Sequence, residues 1–132
     1  PKVKKGYFAV DKEAAVKALG VFHERWNAKE FEAIYQSASE AFRAQPKGQL
    51  LAAMQAQRSL WGRVVDATQI ASSCAPNEVT LLLAVKFENG DGGEVIAWHV
   101  PEEEAHLAGV QIVTGPITAP PDANNCKSSP PK

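Results

Sequence analysis

Two histidines that flank an acidic turn are the residues best suited to bind a metal in this sequence. His99 and His106 lie on either side of 101-PEEE-104. If the neighbouring strands pair around this turn, both imidazoles could approach a glutamate, and two imidazoles with a carboxylate can bind a transition metal. The alternation of side chains along a strand does not by itself place both histidines on one face. We therefore interpret the segment as a charged, solvated turn and predict no metal and no other cofactor.

Asp66 is the best candidate for a general base, because it interrupts 64-VVDATQI-70, a segment with the composition of a strand. On a concave, apolar face of a sheet such a carboxylate could abstract a proton from a bound substrate. The opposite face of the segment is no more hydrophobic, so periodicity does not decide which face is buried. The alternative that we favour places Asp66 on the solvent side of the sheet.

Aromatic residues recur at helical spacing in 22-FHERWNAKEFEAIYQSASEAFR-43. Phe22 and Trp26 lie one turn apart and Tyr35 follows on a second helix, which predicts a packing seam that faces the sheet. The alternative is that Trp26 and Tyr35 line a ligand cavity, to which Tyr35 would contribute its hydroxyl. His23 points about 100° away from Phe22 on a helix, which predicts a solvated histidine and not a base.

The sequence contains no motif for nucleophilic or phosphate chemistry. It has no Gly-x-Ser-x-Gly elbow, and neither cysteine stands beside a histidine. The glycines of 90-GDGG-93 precede a strand, whereas a phosphate-binding loop precedes a helix. These absences favour a non-enzymatic protein, and leave open the alternative of catalytic groups that assemble from distant positions.

The composition is that of one globular domain. Of 132 residues, 45% are hydrophobic and 22% charged, and no apolar run approaches the ~20 residues needed to span a membrane. Residues 1–62 carry ten Lys or Arg and six Asp or Glu, and residues 63–132 carry four and nine. This charge is too diffuse for a nucleic-acid surface. We therefore predict neither a nucleic-acid partner nor a membrane span.

Three helices are predicted in the first half of the chain, the last over residues 49–61. Asp11 is expected to cap the first helix, and Asn27 with Glu30 to begin the second. Pro46 and Gly48 are expected to begin the third helix, and Gly62 to end it.

Four strands are predicted in the second half, where β-branched residues dominate. They are 63-RVVDATQIA-71, 78-EVTLLLAVKF-87, 94-EVIAWHV-100 and 105-AHLAGVQIV-113. The Asn-Gly and Asp-Gly steps in 88-ENGDGG-93 predict a hairpin turn. Connections this short exclude crossovers and imply an antiparallel meander with the helices on one face. The predicted fold class is therefore α+β, in the order αααββββ.

The ends of the chain differ from the middle. Residues 1–10 form a basic leader, residues 11–114 the domain, and residues 115–132 a Pro-rich tail that cannot form a regular element. The chain begins at Pro1 without methionine, which is consistent with removal of upstream residues by a signal peptidase or with a sequence that was trimmed by design. In a processed chain two cysteines, Cys74 and Cys126, predict a disulfide that holds the tail. The alternative is two separate thiols.

The helical segments resemble a known superfamily. One helix ends at Trp26, a second runs into 37-SASEAFR-43, and a third ends within 58-RSLWGRVVDATQI-70, which leads into a strand. This arrangement is similar to small secreted bacterial proteins of the nuclear transport factor 2-like (cystatin-like) superfamily. The resemblance covers about residues 11–114. Its members often carry a tryptophan in the last strand, where this chain has 107-LAGVQIV-113. The resemblance implies a bent sheet wrapped around the helices with a conical cavity, but no particular reaction.

Three functional hypotheses follow. The first is a non-enzymatic secreted or periplasmic domain that binds a small apolar ligand or a protein partner, with a pocket built from Trp26, Tyr35, Asp66 and Trp98. The second is a pocket enzyme like the isomerases and cyclases of that superfamily, which requires Asp66 to point inward within reach of Tyr35. The third is a homodimeric interaction module, whose signature would be an exposed Trp98 beside Ile96 and Val100.

Overall fold

The computed structural model describes residues 9–115, 117 and 126, and it has helices followed by an antiparallel sheet. The helices are α1 (Ala9–Asn27), α2 (Phe31–Ser37), α3 (Glu40–Arg43) and α4 (Lys47–Trp61). The strands are β1 (Val64–Ala75), β2 (Glu78–Phe87), β3 (Gly90–His99) and β4 (His106–Thr114), with a 3₁₀ turn at Pro101–Glu103. The predicted α+β class and strand order are confirmed. Most of the predicted leader and tail lies outside the described residues.

The four strands form one meander in the order β1-β2-β3-β4, so β1 and β4 are its edges. The predicted hairpin between β2 and β3 is confirmed, and these strands pair without interruption from one end to the other. Its turn is shorter than predicted, because β3 already begins at Gly90 and only residues 88 and 89 connect the strands. The register shifts twice in the β1–β2 pairing and once in the β3–β4 pairing. The irregularities are therefore confined to the pairings of the two edge strands. Such bulges bend a strand and increase its twist.

The core lies between α1 and one face of the sheet. Alternate residues of β2, from Val79 to Phe87, are buried, as the period of two along a strand requires. The buried stripe of α1 packs against them with the spacing of a helical face. Its members are Ala15, Leu19, Phe22 and Trp26.

The predicted second helix is two short helices in the structure. α2 ends at Ser37, Ala38 is extended, and the Ser39 hydroxyl starts α3 by accepting a hydrogen bond from the N–H of Phe42 at 3.2 Å. The N–H of Ser39 donates to the carbonyl of Leu107 in β4 at 2.8 Å. The break therefore allows a backbone hydrogen bond between the helical layer and the sheet. Helical periodicity in the sequence cannot predict such a long-range contact.

Two of the predicted helix caps are wrong. Asp11 lies buried inside the first turn of α1, not before it. Glu30 precedes α2 without any side-chain cap, and Asn27 is the last residue of α1. The Asn27 amide instead accepts from the N–H of Val64 at 2.8 Å and donates to its carbonyl at 3.1 Å. A polar residue at a helix boundary can bond to another element, and the sequence does not distinguish the two uses.

The end of α1 is fastened to the junction of α4 and β1 by a set of hydrogen bonds that we call the α1 clamp. The indole of Trp26 donates to the carbonyl of Gly62 at 3.2 Å, and Asn27 holds Val64 as described. The guanidinium of Arg58 donates to the carbonyls of Trp26 and Asn27 at 3.1 and 3.0 Å. These carbonyls are at the end of α1, where the backbone C=O groups of a helix lack intrahelical partners. The clamp therefore joins α1, α4 and β1.

The turn between β2 and β3 is bound to the same junction. The backbone N–H of Arg63 donates to the Glu88 carboxylate at 2.8 Å, and its guanidinium donates at 3.1 Å. These hydrogen bonds hold the pKa of Glu88 below its ordinary value. Gly62 ends α4 as predicted, with φ +82°, and a Cβ there would lie 2.8 Å from the Cβ of Glu88. Only glycine fits this position.

Cys74 and Cys126 form a disulfide, which confirms the prediction. Cys74 is buried in β1, and Cys126 packs against the same core. Ile117 lies on the other face of the sheet, where a Cβ on Gly93 would be 2.7 Å from its Cδ1. The two described positions after Gly115 are therefore both in contact with the sheet.

Truncation of Trp26 should destabilise the protein more than any exposed change. Trp26 is 4% exposed and its indole is bonded to Gly62. We expect Trp26→Ala to lower the free energy of unfolding by about 3–5 kcal/mol, because a large cavity opens and a carbonyl loses its donor. Leu60→Ala is the control, since Leu60 is 65% exposed. Urea denaturation of both variants checks this, and equal midpoints would contradict it.

Loss of the disulfide should destabilise the protein through its unfolded state. The bond links residues separated by 52 positions. On the chain-entropy model, closing such a loop contributes about 4 kcal/mol. We expect Cys126→Ser, or addition of dithiothreitol to the wild type, to lower the free energy of unfolding by that amount, which urea denaturation reports as a lower midpoint. Dithiothreitol should leave the Cys126→Ser variant unchanged, and an unchanged wild-type midpoint would refute the entropic role.

Candidate functional site

A cleft of about 410 Å³ opens between the helices and β4, and we call it the inner cleft. α1, α3, α4 and β4 each contribute to its walls. A volume in the range of ~300–1,000 Å³ is usual for small-ligand sites. The large apolar residues of its walls include Phe22, Trp26, Phe42, Leu50, Met54 and Ile112.

The helices place these side chains by simple spacing. Phe22 and Trp26 are four residues apart on α1, and Leu50 and Met54 are four apart on α4, so each pair shares one face of its helix. The clamp fixes the end of α1 and hence the position of Trp26. Ala53 lies beside Met54 on α4, is exposed, and lines the opening of the cleft.

The inner cleft contains no ionisable side chain among its described lining residues. Its polar side chains are Gln45, Gln57 and Gln111. The Gln57 amide oxygen accepts from the indole of Trp61 at 3.1 Å. Amide groups donate and accept hydrogen bonds but do not ionise near neutral pH. The cleft can therefore bind and orient an uncharged molecule, but it has no general acid, base or nucleophile of its own.

A smaller cavity of about 160 Å³ lies between α1, α2 and the ends of β3 and β4. Trp98 lines it, together with Phe22 and Ile34. The indole N–H of Trp98 is buried and has no hydrogen-bond partner among the described residues. This volume is below the ~300 Å³ at which ligand sites usually begin. We interpret the cavity as a packing gap at the margin of the core, because the exposed Val21 also lines it.

Asp66 lies on the outer face of the sheet, away from the helices. It is exposed, and its register partner is Lys86, which in turn pairs with Asp91. These charged residues line a surface depression of about 490 Å³. The Tyr35 hydroxyl lies among the helices, where it donates to the Arg43 carbonyl at 2.9 Å. The structure therefore does not meet the condition of the isomerase hypothesis, an inward Asp66 within reach of Tyr35.

A buried carboxylate that the sequence analysis missed lies on the inner face of β3. Glu94 is 2% exposed, and its Oε1 is 2.8 Å from Nε2 of His23 on α1. The prediction of a solvated His23 is wrong, because its side chain is only 14% exposed. The sequence did contain a signal for this burial. Glu94 alternates along the strand with Ile96 and Trp98, which are buried, so all three side chains point to the same face. Neither member of the pair lines any of the three cavities described here.

The four predicted pocket residues do not share one site. Trp26 lines the inner cleft and Trp98 the smaller cavity, while Asp66 is on the outer face. Tyr35 lines none of these cavities. Its ring contacts the Lys47 ammonium at 5.4 Å. The proposed dimer signature is also missing, because Ile96, Trp98 and Val100 are all buried.

The two histidines at the acidic turn lie directly opposite each other, which the sequence alone did not determine. His99 and His106 are direct partners across β3 and β4, so they share a face of the sheet. His106 is already engaged, with Nδ1 3.3 Å from the Ser37 carbonyl and Nε2 3.6 Å from Glu104. In the described part of the chain no three His, Cys, Asp or Glu residues form a group that could hold a metal.

Comparison with known proteins leaves these observations to stand on their own. A scan against protein-family models found no match, and searches of curated proteins and of solved structures found no significant similarity. Within the described residues, no helix has both the length and the apolar character needed to cross a membrane.

Removal of one member of the His23–Glu94 pair should cost more than replacement of both. His23→Leu leaves a buried carboxylate without its partner, which we expect to destabilise the protein by about 3 kcal/mol. The double variant His23→Leu and Glu94→Met should recover most of that loss, because an apolar pair of similar size needs no hydrogen bonds. A double-mutant cycle by chemical denaturation measures the coupling. Additive losses would show that the contact does not couple the two residues.

Proposed function

We propose that this protein is a non-enzymatic binding domain whose site is the inner cleft, and that the cleft takes a small, uncharged, apolar ligand. The observation that carries the proposal is the chemistry of the walls, which are apolar with three glutamines and no charge. A charged ligand would lose its hydration there without gaining a counter-charge, which is strongly unfavourable.

The driving force for binding would be burial of apolar surface. Aromatic walls from α1 and α3 and aliphatic walls from α4 and β4 surround the cleft on several sides. Each Å² of apolar surface removed from water contributes roughly 25 cal/mol. The glutamine amides could satisfy a hydroxyl or carbonyl of the ligand and so fix its orientation.

The same geometry favours binding over catalysis. His23 and Glu94 are enclosed between α1 and β3, and neither they nor the buried Asp11 line any of the cavities described here. Asp66, the sequence-based candidate for a base, is on the other face of the sheet. A ligand in the inner cleft would therefore meet no proton donor or acceptor suited to acid–base catalysis.

We also propose a secreted or periplasmic location and membership of the nuclear transport factor 2-like superfamily. The disulfide supports the location, because such bonds persist mainly in oxidising compartments. The superfamily is supported by helices that precede a four-stranded antiparallel sheet and by an apolar cleft between the two layers.

The neutral fluorophore N-phenyl-1-naphthylamine tests the proposal, since its emission rises in apolar sites. We expect saturable binding to the wild type at one site per chain. Ala53→Trp, which fills the cleft opening, should weaken binding about tenfold or more, a cost of only ~1.4 kcal/mol. Native mass spectrometry of the protein purified without reductant would show whether a natural ligand is already bound.

Ala52→Trp is the matched control. Ala52 is exposed on the same helix but does not line the cleft. The control should bind the fluorophore like the wild type. Equal loss in the two variants, or no saturable binding to the wild type, would refute the inner cleft as a ligand site.

A further inference from the structure

The outer edge of β4 receives few hydrogen bonds from the described residues. β4 is an edge strand, paired with β3 alone. Among the described residues, the one backbone bond that reaches it from outside the sheet is that of the Ser39 N–H to the Leu107 carbonyl. From residue 108 to residue 114 no other backbone bond from the described part of the chain reaches this edge, so the alternate residues that face away from β3 present N–H and C=O groups for pairing. Such an edge is a template for another extended chain.

This edge has few of the devices that usually prevent pairing. Residues 105–115 contain no Asp, Glu, Lys or Arg. Proteins commonly protect an exposed edge with a charged residue, a proline or a bulge, and of these β4 has one register shift, between Leu107 and Gly109. The other edge, β1, has two register shifts and carries Asp66. The two edges of the sheet thus differ, and among the described residues β4 is the less protected of the two.

The inner cleft lies directly beside this open edge. Its walls include five consecutive residues of β4, residues 108–112. The face of a strand would contribute only alternate residues, because successive side chains point to opposite sides. Consecutive residues line a cleft when the backbone edge itself faces it. Hydrogen-bonding groups and an apolar cleft therefore occur side by side.

We infer that an extended, uncharged peptide of a partner protein binds here as a fifth strand on β4. Its backbone would pair with residues 108–114, and alternate apolar side chains would enter the inner cleft near Phe42, Leu50 and Met54. The absence of charge along both the edge and the cleft specifies an uncharged segment. The inference rests on the proposed function, because it uses the same cleft and names the class of its occupant.

A second copy of this chain fits the edge less well than a peptide. Two identical strands that pair antiparallel are related by a two-fold axis perpendicular to the sheet, which places the helices of both copies on the same face. α3 and α4 lie on that face beside β4. The helical layers of two copies would then compete for the space in front of the paired edges, whereas a single extended strand brings no helix.

Selection from a phage-displayed library of random nine-residue peptides against the full chain supplies the probe. We expect enriched sequences with apolar residues two positions apart and without charge between them. The best peptide is then synthesised in three forms: unmodified, and with N-methyl groups on the odd or on the even backbone nitrogens. Affinity is measured by fluorescence anisotropy, and amide hydrogen exchange of the protein is followed by mass spectrometry.

Strand addition predicts an asymmetric result. Only one set of alternate N–H groups would face β4, so one methylated peptide should lose about tenfold or more in affinity while the other binds like the unmodified peptide. Exchange of the amides in residues 108–114 should slow when the unmodified peptide is bound. Equal binding of all three forms, or unchanged exchange in β4, would overturn the inference, as would a library that yields no binder.

The outcome separates this inference from the proposed function. If Ala53→Trp abolishes binding of peptide and fluorophore while methylation has no effect, the cleft is a ligand site and strand addition is wrong. If the peptide protects β4 but the fluorophore never binds, the small-ligand function is wrong and strand addition stands. Slower exchange in residues 108–114 as peptide-free protein is concentrated would show that a second copy takes the edge, which also overturns the inference.

Discussion

The hydrogen bonds at the end of α1 are the constraint on which the rest of the structure depends. A helix ends with carbonyl groups that have no intrahelical partner, and here the Arg58 guanidinium takes those of Trp26 and Asn27. A cation at this position also interacts favourably with the negative end of the helix dipole. Since Trp26 and Asn27 reach in turn to Gly62 and Val64, three elements meet at one point. The orientation of α1, and with it the aromatic walls of both interior cavities, follows from this junction.

Glu94 shows how a single buried charge can select one arrangement of the sheet. A carboxylate on the inner face of the central hairpin is tolerated because His23 on α1 lies within hydrogen-bond distance. If β3 slipped by one residue, Glu94 would move to the opposite face and lose this partner. The pair therefore disfavours the alternative registers that an apolar residue at position 94 would accept. Its enclosure away from the cavities agrees with a structural role.

Much of the fold could be predicted from local sequence, and the site could be predicted only in part. Runs of β-branched residues and the glycines of the hairpin located the four strands, and Gly62 located the end of α4. Each of these signals depends on residues close in sequence. The break at Ser39, the use of Asn27 and the burial of Glu94 depend on contacts with residues far along the chain. Trp26 was identified as a possible cavity residue because helical spacing fixed its face. Asp66 could not be assigned, because neither face of its strand was more apolar.

The disulfide also determines how mechanical force would pass through the molecule. β4 is held by one neighbouring strand, so tension on the chain just after it would peel it away from β3 one hydrogen bond at a time. A pull applied beyond Cys126 instead enters the fold at Cys74 in β1. Residues between β4 and Cys126 then carry no load. With the bond intact, the open edge strand is shielded from tension, and in a reducing environment it becomes the first part of the sheet to be pulled off.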